Sequence, residues 1–378
     1  MPARHAQPLS PLRGAELSRL ASRHTREIGI AAFGVLVLGL GASAAAAGRT
    51  SAAAPRALSF AAQVHAAPAR TLPTVPTPSP GLRAAPVTAA HPRRAHRTVA
   101  APPAPPWIPR GTGMWIHQWP ATEGGHAAQV VGRAVAAGLS VLYVQTGDSK
   151  EGWIGSPVLS QLLPATRGTG IRVVAWDFPT LKDPAGDARR LARAAWFHRS
   201  GSPWVAAVAP DVETGSEGTQ LSGAAIQVYY ATLRKALPAG VGILATVPWP
   251  SQYRINSYPY ARTAPHVDAF LPMDYWYNNP PGAVTATSIR VLRRYGKPVL
   301  PVGQGYDGRL DAPYLKADPA PDRSVQAFID AARSLGAPSV SLWSWQTTGS
   351  KQWRVLSRAR ATFRAAPGLS VGARNVGG

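Results

Sequence analysis

Near the middle of the chain, the run WVAAVAPDVE (204–213) closes on Asp211-Val212-Glu213, two carboxylates set two residues apart. Alternate side chains of an extended strand share a face, so Asp211 and Glu213 point together and Val212 points away. Carboxylates about 7 Å apart or less resist simultaneous ionisation. One of the pair then keeps its proton near neutral pH and can deliver it as a general acid. Such a pair acts only if a strand carries it to a cleft, so the surrounding elements decide what it means.

Seven other short β-rich apolar runs accompany this one: GMWIHQW (113–119), SVLYVQT (140–146), IRVVAWDF (171–178), VGILATV (241–247), VDAFLPMDYW (267–276), PVLPVGQGY (298–306) and SVSLWSW (339–345). Helical segments separate most of them. Ser156-Pro157 and Asp183-Pro184 read as an N-cap followed by an N1 proline, and glycines at 138, 201, 240, 296 and 336 read as helix stops. The segment after the fifth run, SQYRINSYPYARTAPH, has no helical stripe. Eight strands alternating with helices predict a parallel α/β fold, a (β/α)8 TIM barrel over residues 111–364. No Walker or G-x-G-x-x-G phosphate loop follows the first strand, which argues against a doubly wound nucleotide-binding sheet.

Barrels of this type place their chemistry at the C-terminal strand ends. The polar residues there include Gln145, Asp177, Asp211, Glu213, Asp274, Tyr275 and Gln304, with tryptophans 176, 276, 343 and 345 among them. Carboxylates mixed with indoles suit a sugar site, because flat apolar sugar faces stack on aromatic rings while acids break the glycosidic bond. Glu213 is the expected general acid/base, with Asp211 or Asp274 as its partner. Tyr275, Trp276, Trp345, Trp176, Gln145 and Gln304 are the expected substrate contacts. His117 is a candidate proton shuttle. Histidines are scattered, with no H-E-x-x-H pair, and cysteine is absent, so neither a metal nor any other cofactor is expected.

With its D-x-E at the fourth strand, this half of the chain resembles the (β/α)8 glycoside hydrolase superfamily, particularly its chitinase-like and GH25-type lysozyme-like families. The resemblance implies a glycosidase in which Glu213 is the acid and Asp211 its modulator. PMDYW (272–276) is similar to the sixth-strand Met-x-Tyr-Asp region of chitinases, with Asp274 here preceding Tyr275, and LWSWQTTGS (342–350) is similar to the Trp-Gln end of lysozyme-like barrels. Ala206 and Ala209 stand where the chitinase fourth strand carries two further aspartates, and GMWIHQW has no first-strand aspartate. A barrel that binds a glycan without cleaving it is therefore the second reading.

The first 110 residues are of another kind. They hold thirteen arginines, two acids and one of the twelve tryptophans. Residues 28–48 form an uncharged apolar run preceded by Arg13, Arg19, Arg23 and Arg26 in the basic region 1–27, which predicts a transmembrane or signal helix with everything after it translocated. Residues 49–110 are rich in Pro and Ala and are expected to be a disordered linker, and 365–378 a tail. The formal charge of +22 divides evenly between the first 110 residues and the rest, so it forms no nucleic-acid stripe. The expected partners are a polysaccharide or cell-wall glycan and, where the helix is retained, a membrane.

Overall fold

The computed structural model describes residues 105–308 and 318–364. The expected basic region, the apolar run, most of the linker and the tail lie outside them. No helix among the described residues is long and apolar enough to cross a membrane.

Eight parallel strands form the centre: β1 (Gly111–Ile116), β2 (Val141–Asp148), β3 (Arg172–Phe178), β4 (Ala207–Pro210), β5 (Gly242–Pro248), β6 (Ala269–Asp274), β7 (Val302–Gln304) and β8 (Ser339–Trp343). Each pairs with the next, and β1 pairs with both β2 and β8, which closes the sheet into a barrel. A two-residue antiparallel arm, Gly152–Trp153, adds to the end of β2. Around the barrel run α1 (Ala127–Ala136), α2 (Gly155–Ala165), α3 (Pro184–Ala195), α4 (Gly223–Ala236), α5 (Tyr260–Thr263), α6 (Pro281–Leu292), α7 (Asp322–Ser334) and α8 (Ser350–Arg364). The segment without a helical stripe contributes the single turn of α5 and a following 3-10 turn, Ala264–His266.

Period-two alternation divides the apolar residues into two layers. Trp115, Tyr143, Trp176, Ala207, Ala209, Leu244, Leu271 and Val302 fill the barrel. Their neighbours Met114, Leu142, Val208, Ile243 and Phe270 face outward against the helices. Inside, Trp115 stacks on Tyr143 at 4.5 Å and meets Trp343 at 5.8 Å, and the small side chains of Ala207 and Ala209 leave volume for these rings. Both buried indole N–H groups are satisfied, Trp115 donating to Ser341 Oγ (2.9 Å) and Trp176 to the carbonyl of Ile116 (3.1 Å).

Helices end and begin mostly where the sequence marks them. Asp183 caps α3 by accepting the Gly186 amide at 2.9 Å, with Pro184 at the first position. Along α3, Ala188, Leu191, Ala192 and Ala195 form the buried stripe. Gly138, Gly296 and Gly336 follow helices with φ between 67° and 71°, the left-handed conformation of a stop. Helix α2 starts earlier than Ser156-Pro157 suggests. The Ile154 amide is already bound to the Thr146 carbonyl at 2.9 Å, so the turn begins at Gly155 and Pro157 falls within the first turn, where a missing N–H costs nothing.

The domain also begins before Gly111. Trp107 and Ile108 pack against the barrel interior from its N-terminal end, and the Trp107 amide donates to the Gly240 carbonyl at 3.4 Å. A Cβ on Gly242 would lie 2.7 Å from the Trp107 carbonyl oxygen, so glycine there admits this segment. The last residues assigned to the linker therefore plug the barrel.

Candidate active site

Strand parity carries past the end of β4. Ala207 and Ala209 are inner residues and Val208 and Val212 outer ones, so Asp211 and Glu213 face the barrel mouth. The Asp211 amide donates to the Asp177 carbonyl at 2.9 Å, and Asp211 bridges to Thr246 beyond the last regular pairing of β4 with β5. Its carboxylate is buried, and Oδ1 has no hydrogen-bond partner among the described residues. Burial, reinforced by the charges of Glu217 and Asp177, pushes the Asp211 pKa up to about 7. Glu213 is partly exposed, and its pKa is raised well above the usual carboxylate value by burial, by Asp211 and by Glu217, against the pull of Arg254. Two carboxyls on one wall thus prefer to share a proton near neutrality.

Two connections frame the pair. After β4 the chain turns tightly, with the Thr214 amide (3.2 Å) and the Ser216 hydroxyl (2.9 Å) both donating to Glu217 Oε2 and the Thr214 hydroxyl donating to the same atom. This capping box orders the loop beside Glu213. Between β5 and α5, residues 249–259 carry the half-buried Arg254 between the exposed Tyr253 and Ile255. A cavity of about 340 Å³ lined by Thr214, Gly215, Thr219, Leu221, Ser257 and Tyr258 lies where these connections meet.

Aromatic rings supply the remaining walls. Tyr275 packs on the inner cluster and meets Tyr306 edge-on at 6.1 Å, and the Tyr306 hydroxyl donates to that of Tyr277 at 3.3 Å. Burial and the neighbouring Tyr306, Asp211 and Glu213 raise the Tyr275 pKa well above its usual value, so its hydroxyl remains a donor. Across the mouth, His117 lies against Trp176 (5.9 Å) and Trp343 (5.4 Å). Burial outweighs the charge of Asp148 and lowers the His117 pKa to about 4, so the ring is neutral at neutral pH.

The structure brings Asp211, Glu213, Tyr275, Trp176 and Gln145 to the inner mouth, Gln145 standing in register with Trp176. Of the other expected site residues, Gln304 lies at the mouth but is spent on the protein, and the rest face the helix layer. Asp274 faces the helix layer, fully buried, where its Oδ1 accepts the Ser288 hydroxyl of α6. Trp276 is likewise outward, buried against Phe328 of α7 at 5.7 Å. Trp345 is buried against Trp353 of α8 at 4.8 Å and donates its indole N–H to Glu123 at 3.1 Å. Gln304 uses both ends of its amide on the protein, accepting from the Tyr277 amide (3.0 Å) and donating to the Tyr306 carbonyl (2.9 Å). Asp177 is held by two hydrogen bonds from Arg190 of α3, at 2.7 and 2.8 Å.

Among the described residues, no group of three or more His, Asp or Glu is arranged to hold a metal ion. The Asp211–Glu213 pair, with both pKa values raised, can do acid–base chemistry on a ligand that stacks on aromatic rings. Tyr277, Tyr306, Arg254 and Glu217 join the site without having been expected. Tyr277 was accessible to the alternation rule, standing two residues from Tyr275.

No protein-family model matches the chain, and no curated protein matches it in sequence. Solved structures do. An endo-β-1,4-mannanase from Thermotoga petrophila aligns with 69% of this chain and 78% of its own at a TM-score of 0.50 and 10% identity. The endo-1,4-β-mannanase of Rhizomucor miehei aligns with 68% of this chain and 95% of its own at 0.50 and 7% identity. A chitinase from Chromobacterium violaceum aligns with 66% and 99% at 0.47 and 13% identity. The mannanase alignments show that this chain has the parallel barrel fold used by such glycoside hydrolases.

Proposed function

We propose that this barrel is a glycoside hydrolase acting outside the cell on a wall or extracellular polysaccharide, with Glu213 as general acid/base and Asp211 as the neighbour that keeps it protonated. The observation that carries the reading is the inward-facing Asp211–Glu213 pair at the end of β4, in which burial raises both pKa values and the charge of Asp211 raises that of Glu213 further. Trp343 and Tyr275, with Trp176 packed beneath them, supply ring faces for a sugar, and a carboxyl with a raised pKa protonates a leaving glycosidic oxygen. With Asp274 turned away, the attacking group in this reading is a water or a group of the substrate itself. The location outside the cell rests on the basic N-terminal region and the apolar run that follows it.

The test is release of reducing ends from a panel of insoluble wall and extracellular polysaccharides by the full chain and by Glu213→Gln. Loss of a responsive activity by roughly a hundredfold or more supports the assignment. Undiminished release by the variant refutes it. The outward turn of Asp274 favours one other reading, a barrel that binds glycan without cleaving it. Retention on a polysaccharide with no release of reducing ends, unchanged in Glu213→Gln, is its signature.

A further inference from the structure

Among the described residues, the two ends of the barrel differ in their balance of basic and acidic side chains. The lead-in to β1 and the helix-to-strand connections hold Arg110, Arg167, Arg199, Arg293, Arg294 and Lys297 against one acid, Asp268, which Arg234 already pairs at 2.5 Å. Among the described residues, the strand-to-helix connections at the mouth hold eight acids against Lys150, Lys182 and Arg254. Helix C-termini favour cations at the first of these ends in any such barrel. They do not call for exposed indoles.

Two such indoles are present. Trp196 is 61% exposed and Trp204 50% exposed, both within the connection 196–206 between α3 and β4. Each is held in place while its ring faces solvent. Trp196 donates Nε1–H to the Ala236 carbonyl at 2.7 Å, and Trp204 stacks on His198 at 4.1 Å with the planes 11° apart. Arg167 lies over the same connection, since a Cβ on Gly201 would sit 2.8 Å from its guanidinium. Indoles fixed at the surface beside arginines match the boundary of a lipid bilayer, where the ring takes the level of the headgroups and the cations meet phosphate.

The chain's own path agrees. The 104 residues before Pro105 join the barrel at this end, where Trp107 binds Gly240, four residues beyond the Ala236 that holds Trp196. We infer that this end of the barrel docks on an anionic lipid surface through Trp196, Trp204 and the surrounding arginines, so that the acidic mouth with Glu213 faces away from the membrane. The inference stands on the charge distribution and the exposed rings, and does not depend on the hydrolytic reading.

Amide hydrogen exchange tests it on the full chain bound to vesicles of phosphatidylcholine alone or mixed with phosphatidylglycerol. Exchange in 196–206 and 293–297 is expected to slow by roughly tenfold or more on the anionic vesicles only, with the mouth connections unaffected. Trp196→Ala/Trp204→Ala should abolish the slowing, and Arg167→Gln/Arg199→Gln should reduce it by roughly fivefold per charge, with exchange in the central strands unchanged as the check on folding. Equal exchange on the two vesicles overturns the inference. So does protection of this end by a soluble acidic polysaccharide but not by vesicles, or protection confined to the mouth.

Discussion

The hydroxyl of Tyr258, at the end of the connection between β5 and α5, donates to the carbonyl oxygen of Val212 at 2.8 Å, and Val212 is the residue between Asp211 and Glu213. One bond thus ties the loop that carries Arg254 to the backbone that aims both carboxylates. The bond is buried. Tyr258→Phe should leave that carbonyl without its partner, costing about 1–3 kcal/mol of stability. If Glu213 is the acid, the same change should lower kcat by roughly ten- to a hundredfold with little effect on KM, because it moves the acid without removing a substrate contact. Steady-state kinetics beside a denaturant melt separate the two effects. A destabilised variant with intact kcat would show that the bond serves the fold alone.

The charges around Glu213 predict shifts of opposite sign. Asp211 and Glu217 raise its pKa and Arg254 lowers it. A general acid works while protonated, so activity should fall as pH rises through the Glu213 value. Asp211→Asn removes a like charge and should move that alkaline limb to lower pH by roughly one unit. Arg254→Gln removes the opposing charge and should move it to higher pH. Profiles of kcat/KM against pH for the two variants decide the matter, and limbs that move together would mean that another group is titrating.

Asp274 gives a prediction about stability. Burial holds its carboxyl protonated up to about pH 7, against 3.8 for the ordinary group, while Ser288 and Thr285 pull the other way. Between these values the folded chain binds more protons than the unfolded one, so the contribution of Asp274 is greatest at low pH and declines as pH rises through this window. Asp274→Asn mimics the protonated form and keeps an acceptor for Ser288. It should therefore flatten the decline and leave the variant more stable than the parent above the window, by on the order of a few kcal/mol. Melts across this pH range test it, and parallel curves for parent and variant would show that Asp274 is ionised in the fold.

Asp274 also shows where the sequence was legible and where it was not. The eight strands could be read because period-two apolar runs and glycine stops are local signals, set by residues that are neighbours in the chain. The same alternation placed Asp211 and Glu213 together. It equally forbids Asp274, which ends β6, and Tyr275, the next residue, from facing the mouth side by side, and the phase that decides between them depends on which face the barrel buries. Tyr275 won that choice, and Asp274 and Trp276 went to the helices. Arg254 lies in an eleven-residue connection with no period, and the Tyr258–Val212 bond ties its loop to the site. Nothing local announces a contact made across 46 residues.

The tryptophans of SLWSWQ make the sharpest contrast, because Trp345 is among the substrate contacts expected from the sequence and Trp343 is not. Strand β8 ends at Trp343, which packs on the inner cluster with Trp115 and Trp176. Beyond it the chain turns, the Thr347 and Thr348 amides both donating to the Ser344 carbonyl, and alternation lapses. Trp345 then enters the helix layer, where Arg133 lies 5.3 Å from its ring centroid and Glu123 accepts its N–H. Trp345→Phe should therefore cost about 1–3 kcal/mol through the lost hydrogen bond and ring area, with glycan affinity unchanged. Trp343→Ala should weaken binding of a responsive glycan by roughly tenfold or more, since it removes a stacking face from the mouth. Titration of that glycan into both variants, with thermal melts alongside, separates the roles. Weaker binding by Trp345→Phe at unchanged stability would return that residue to the mouth.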